Sequence, residues 1–231
     1  MHSNEHSKLQ LEAANRYADR IDEATLNYLE GRGISEEVAA LYQLGTVTDP
    51  LPGHEGHTGW LSIPYITAMG LCVGFKFRRL DDGKPKYGQP LGATTHIYNV
   101  SDITKRSARI VVCEGELDTV LVSGVLGLPA VGIPGVANWK NHYPRLLNGY
   151  DTVYVAGDND IPKEEGGDNP GQMFTKRVVS EVMNATPVTL PPGMDITDYY
   201  LQNGYDETRR LLGVQGESGL QSDKLQSDFP F

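Results

Sequence analysis

Three acidic side chains stand where a metal-dependent reaction on phosphates would need them. Glu114 closes the apolar run Ile110-Val-Val-Cys113, and Asp158 and Asp160 close a second run, Thr152-Val-Tyr-Val-Ala156, about forty residues further on. In open α/β sheets functional groups gather beyond the carboxyl ends of parallel strands. Alternate residues of an extended chain point the same way, so Asp158 and Asp160 can present carboxylates to one cation that Glu114 approaches from the neighbouring strand end. Hard oxygen donors of this kind suit Mg²⁺, or Mn²⁺ in its place. A single acid at a strand end is more often a helix cap or a solvated charge. Matched acids at two strand ends argue against that reading.

The elements that must hold these acids can be read from periodicity. From Arg109 onward the pattern is strand, helix, strand: apolar runs at Ile110–Cys113, Ala130–Ile133, Thr152–Ala156 and Pro187–Leu190, with helical spacing at Leu117–Leu126 and Gln172–Met183. Ahead of them, residues Leu9 to Leu44 carry three- and four-residue apolar spacing, broken at Gly31-Arg-Gly33, which predicts two or three short helices, one opening at Ser35-Glu-Glu37. Trp60–Ile63 and Leu71–Phe75 read as antiparallel strands, and Asp81-Asp-Gly83 as a turn leading into Lys84-Pro-Lys-Tyr87. The expected fold class is α/β, an α+β N-terminal lobe over residues 1–105 plus a parallel sheet flanked by helices over 106–205. Residues 206–231 are read as a short helix and a disordered tail.

The chain has 231 residues, 39% of them apolar, enough for a normal core, and a net charge of −10. That charge argues at first against a nucleic-acid partner. Its distribution reverses the argument, because Lys76, Arg78, Arg79, Lys84, Lys86, Lys105, Arg106 and Arg109 face only Asp81, Asp82 and Asp102 between Trp60 and Ile110. Cys72 and Cys113 cannot form the paired clusters of a zinc ribbon. His54 and His57, in a Gly-rich stretch without a cysteine partner, read as surface-loop residues rather than metal ligands. Gly124, Gly127, Gly132 and Gly135 do not fit the spacing of a dinucleotide-binding loop. No stretch approaches the roughly 20 apolar residues of a membrane span and the N-terminus lacks a signal pattern, so the expected location is the cytoplasm, with no membrane partner.

Glu114-Gly-Glu-Leu-Asp118 followed by Asp158-Asn-Asp160 resembles the E-G-x-x-D and D-x-D pattern of the Toprim domain, found in primases, topoisomerases and certain nucleases. Tyr28-Leu-Glu-Gly-Arg-Gly-Ile34 with Leu44-Gly45 is similar to the segment that opens the polymerase region of bacterial-type primases. Ile63-Pro64, Gly74-Phe75, Arg78 and Pro85-Lys-Tyr87 follow in that family's order, as does Leu190-Pro-Pro-Gly-Met-Asp195-Ile-Thr-Asp198. The resemblance covers residues 10 to 205.

It implies a Toprim catalytic domain in which Glu114, Asp158 and Asp160 are catalytic, with Glu114 a metal ligand or general base and the two aspartates holding Mg²⁺. Asp118 would serve a helix start or a second metal. Lys76, Arg78, Lys86 and Tyr87 would touch template or nucleotide; without the resemblance they would read as a solvated hairpin. The implied activity is template-directed synthesis of short RNA primers from ribonucleoside triphosphates on single-stranded DNA. A Toprim nuclease using the same acids, and a degenerate module that recruits replication proteins, are the rival readings. The zinc ribbon and helicase region usual in the family are missing from this pattern, which points to a phage-encoded polymerase core in the bacterial host cytoplasm. The family's glycine between the paired aspartates is replaced by Asn159, and a polar insertion at 161–169 follows. The end of the chain, Ser227-Asp-Phe-Pro-Phe231, is similar to the tip of bacterial single-stranded-DNA-binding proteins; it would serve to reach such a protein, its partners or a replicative helicase.

Overall fold

The computed structural model describes residues 2–161 and 169–214. Two four-stranded sheets organise them, one antiparallel in the order β1-β2-β3-β4 and one parallel in the order β6-β5-β7-β8. The α/β expectation is met.

Three helices come first: α1 (His2–Ala18), α2 (Glu23–Glu30) and α3 (Glu36–Leu41). The sequence pattern underestimates α1, whose polar first turns hide its start. Asp22 and Ser35 cap α2 and α3 by accepting from Thr25 N and Val38 N, which satisfies end amides that would otherwise lack partners. The antiparallel sheet follows as β1 (Gly45–Thr46), β2 (Leu61–Ile66), β3 (Cys72–Arg78) and β4 (Tyr87–Gly88). Both faces of β2 and β3 have work to do. Phe75 and Phe77 point toward α1 and pack with Ala13, Ala14 and Tyr17, each contributing about 1.5–3 kcal/mol by leaving water. On the opposite face Leu61, Ile63 and Tyr65 meet Leu29 and Ile34 from the first helices and Leu117 and Val120 from the segment after β5. One core therefore continues from the antiparallel sheet into the parallel one. The Asp81 turn forms as expected, with Asp81 Oδ1 accepting from Gly83 N at 2.8 Å.

The parallel sheet contains β5 (Arg109–Cys113), β6 (Ala130–Gly132), β7 (Thr152–Ala156) and β8 (Ala185–Pro187), with α4 (Glu116–Val120), α5 (Tyr143–Leu147), α6 (Pro170–Glu181) and α7 (Ile196–Leu211) around it. Central β5 and β7 are apolar on both faces, as strands covered by helices on both sides must be. Two expectations shift. The helix read over Leu117–Leu126 is α-helical only to Val120 and continues as a π turn, Leu121–Val125. There Gly124 lies so close to α3 that a Cβ would stand 2.7 Å from Val38 Cγ1. The last strand lies at Ala185–Pro187 rather than Pro187–Leu190; Val188 N makes the last hydrogen bond to β7, donating to Val155 O at 2.9 Å, and the side chains of Val188 and Leu190 enter the core beneath α7. α7 bends at Gly204, whose φ of 79° takes it out of the helical region.

His54 corrects a third expectation. It is 1% exposed, not a surface-loop residue. Its ring lies 4.9 Å from both Phe75 and Phe77, and its Nδ1 is 3.0 Å from the Tyr17 hydroxyl. Burial pushes its pKa down to about 4. It is a neutral core histidine. The insertion at 161–169 falls almost wholly outside the described residues, as does the C-terminal tail with its Pro-Phe tip. No helix among the described residues is long and apolar enough to cross a membrane.

Candidate active site

The carboxyl ends of β5 and β7 lie side by side because the two strands pair in parallel, Cys113 opposite Ala156. The next residue but one on β7, Asp158, offers its amide to Glu114 Oε2 at 3.4 Å. Burial pushes the Glu114 carboxyl above its ordinary range, and the charges of Asp160 and Asp118 push it further. Asp158 is raised to about 8, first by burial and then by Asp118 and Glu114. The 3.4 Å contact between Asp158 N and Glu114 Oε2 places the two residues side by side, where they could share a cation. Asp160 is exposed at the rim and does not line the cleft.

The cleft has a volume of about 370 Å³ and is walled by acids on the parallel sheet and by bases on the antiparallel one. Glu114, Glu116, Asp118, Asp158 and Asp195 face Arg32, Lys76, Arg78, Lys86 and Tyr87 across it. The structure thus brings together every residue expected to act here except Asp160. β3 explains the basic wall, since its period of two sends Lys76 and Arg78 to the cleft while Phe75 and Phe77 go to the core. Tyr87 is exposed and lines the cleft. Lys76 Nζ lies 4.4 Å and the Arg78 guanidinium 4.9 Å from its centroid, so the ring holds the two cations in place. Lys86 is exposed and reaches the cleft from β4's edge.

Asp118 is held through one of its two carboxylate oxygens. Its Oδ1 accepts from Thr197 Oγ1 at 2.6 Å and from Arg32 at 3.3 Å, and the same guanidinium reaches Asp195 at 3.1 Å. Burial and the Asp195 charge raise the Asp118 carboxyl, while Arg32 opposes them. Asp195 also caps α7 in a capping box with Asp198. Arg32 sits in a turn fixed by Gly33, whose φ of 73° and contact with the Tyr200 ring admit no side chain. Sequence reading assigned no site role to Arg32, Glu116 or Asp195, although all three lay inside the motifs it quoted. Glu116 is 2% exposed and accepts from Lys76 Nζ at 2.9 Å at both oxygens and from the Tyr65 hydroxyl at 2.5 Å. Asn159 is also explained. Its side chain donates to Leu190 O at 2.8 Å and accepts from Gln172 Nε2 at 2.9 Å, tying the end of β7 to the loop before α7 and to α6.

A divalent cation fits this donor set in a limited sense. Among the described residues no three His, Cys, Asp or Glu side chains converge into a closed cage. Mg²⁺ does not require one, since it keeps several waters and takes one or two carboxylates plus substrate phosphates. Glu114 and Asp158, both raised first of all by burial, supply such a pair.

No family model matches the chain. It is 34% identical to the gene 57 protein of Mycobacterium phage D29 over 154 residues, which are 65% of this chain and 95% of that protein. It is 29% identical over 183 residues to the DNA primase of Neisseria meningitidis serogroup A, but those cover only 31% of that enzyme. The zinc-binding and RNA polymerase domains of Aquifex aeolicus primase superpose with a TM-score of 0.73 at 20% identity, covering 91% of this chain and 61% of that one. The chain therefore belongs to one family with the phage D29 gene 57 protein, is similar to bacterial DNA primases over about a third of their length, and has the fold of a primase catalytic core.

Proposed function

We propose that this chain is a phage-encoded primase core that synthesises short RNA primers on single-stranded DNA by metal-dependent nucleotidyl transfer. The observation that carries the reading is the single cleft in which Glu114 and Asp158 face Arg78 and Lys86. An acidic wall alone would serve a nuclease equally well. A basic wall opposite it supplies the neutralisation that a triphosphate and a template backbone require.

When bound, a divalent ion held by Glu114, Asp158 and, from the rim, Asp160 would stabilise charge on the attacked phosphate and the leaving pyrophosphate. Arg78, fixed against Tyr87, and Lys86, free to move, neutralise phosphate oxygens. Glu114, with its carboxyl raised above the ordinary range by burial, is suited to accept the proton of the attacking hydroxyl. Arg32 pairs with both Asp118 and Asp195, and so positions the turn that carries Glu114. The antiparallel lobe, residues 1–105, presents the basic surface to template, and residues 106–205 carry the acids of a Toprim-type centre. The net charge of the chain and its nucleic-acid reading are compatible because the two charges occupy opposite walls.

Incubation with single-stranded DNA, labelled ribonucleoside triphosphates and Mg²⁺ or Mn²⁺ tests this. Short RNA is the expected product. Cleaved DNA would favour the nuclease, and neither product would favour a module that only recruits other replication proteins.

A further inference from the structure

A larger cavity, about 580 Å³, lies at the end of the parallel sheet remote from the catalytic acids. Arg109 opens β5 and Glu114 follows its last residue, which separates the two ends by roughly 16 Å along the strand. Ser107 and Arg109 line the cavity from the start of β5, Leu128 and Pro129 from the segment before β6, and Arg209 and Val214 from the end of α7.

The two arginines are the informative residues. Taking a guanidinium partly out of water costs free energy that a nearby carboxylate usually offsets. Partly buried Arg16, Arg32, Arg79 and Arg177 each have a carboxylate oxygen within 3.3 Å. Partly buried Arg78, Arg109 and Arg209 have none at ion-pair distance among the described residues. Arg78 lines the catalytic cleft, where the proposed substrate brings phosphates. Arg109 and Arg209 share the remote cavity instead, in a chain with 30 acidic residues to choose from.

Neither side chain is loose. Arg109 Nη1 donates to Gly213 O at 2.5 Å. Arg209 Nη1 donates to Leu126 O and to the Tyr205 hydroxyl, and its guanidinium lies 5.3 Å from that ring's centroid. These contacts tie α7 to β5 and to the π turn, and they use one nitrogen of each arginine. A guanidinium carries five N–H donors. The remaining ones have no partner among the described residues and are not sealed from solvent.

We infer that this cavity is a second phosphate-binding site, distinct from the catalytic cleft, for a small ligand such as a nucleoside phosphate. Two anchored guanidiniums with donors to spare match phosphate oxygens. Ser107 Oγ accepts from Arg109 N at 3.2 Å, which leaves its own proton for a further acceptor. The volume exceeds what one phosphate fills, and Leu128, Pro129 and Val214 offer apolar surface to the rest of the ligand. A polynucleotide would call for a row of cations along a groove, whereas the cations lining this cavity are the two arginines. The site is independent of the reaction performed in the cleft.

Inorganic pyrophosphate, titrated by calorimetry in EDTA, tests the site in the Arg78→Ala/Lys86→Ala protein, which lacks the phosphate contacts of the cleft. One equivalent is expected to bind. Arg209→Gln and, separately, Ser107→Asp in that background should each weaken binding by at least about tenfold. Ser107→Asp brings a carboxylate to the guanidiniums while both carbonyl contacts stay, so it decides the matter if Arg209→Gln fails to fold. Absence of binding in the background protein, or unchanged affinity in both variants, would overturn the inference. So would binding that emerges only when Glu217, Asp223 and Asp228 are changed to amides, since the chain's own acidic segment would then be the occupant. A DNA oligonucleotide whose binding is lost in Ser107→Asp, where pyrophosphate does not bind at all, would overturn it in favour of a polynucleotide track.

Discussion

Lys76 Nζ donates to both carboxylate oxygens of Glu116 at 2.9 Å, and this contact joins β3 to the start of α4 across the floor of the cleft. Glu116 is almost wholly buried and Lys76 one-fifth exposed. The pair is therefore unequal, and removing the lysine leaves the more costly orphan. Lys76→Met should destabilise the protein by about 3 kcal/mol, as expected when a buried charge loses its partner, and Glu116→Gln by less, since the exposed ammonium can turn to water. Urea unfolding of both variants measures the difference. Equal losses would mean that Tyr65 alone satisfies Glu116.

Arg32 holds Asp118 and Asp195 together, so its removal should show in the pH dependence of stability. The Asp118 carboxyl is already raised in the folded protein, and Arg32→Ala raises it further by removing the charge that opposes the shift. A carboxyl raised above its unfolded value binds protons more strongly when folded, so the stability it contributes falls as pH rises. Arg32→Ala is expected to cost about 3 kcal/mol at pH 8 and clearly less at pH 5. Thermal melts at the two pH values test the sign. A penalty that grew toward low pH would contradict the arrangement.

Asp158→Asn should separate stability from activity. With its carboxyl pushed up to about 8, Asp158 destabilises the metal-free fold progressively as pH rises above its unfolded value of roughly 4. In EDTA the variant should be more stable than wild type at pH 9, by up to about 5 kcal/mol for a shift of roughly four pKa units, and indistinguishable at pH 4. It should make no primers at any pH. Asp160→Asn, altering an exposed residue at the rim, is expected to give a partial loss of synthesis.

Lys86→Ala removes a mobile cation and should weaken binding of single-stranded DNA, lowering the slope of log affinity against log salt by about 0.7 for one lost phosphate contact. Arg78→Ala removes a contact with Tyr87 as well, and with it the support for Lys76. Its loss of affinity should exceed that of Lys86→Ala at every salt concentration. Fluorescence anisotropy over a salt series distinguishes the two.

Much of this site was legible in the residues themselves. The acids at the ends of β5 and β7 could be placed because a short apolar run followed by an acid is a local pattern, and because parallel strands bring their carboxyl ends to one side. The turn at Asp81 and the cap at Ser35 are equally local, each being satisfied within three residues. Tertiary structure decided the rest. Arg32 meets Asp195 across 163 positions of chain and Lys76 meets Glu116 across 40, and no periodicity records such pairings. His54 was misread because a glycine-rich stretch looks exposed until α1 and β3 close over it. Asp118 matched a metal-ligand motif, and its contacts through Oδ1 with Thr197 and Arg32 come from elements far away in the chain. A sequence specifies which side chains an element presents on each face; which charge each of them meets depends on how distant elements pack, because burial raises the cost of every charge left unpaired.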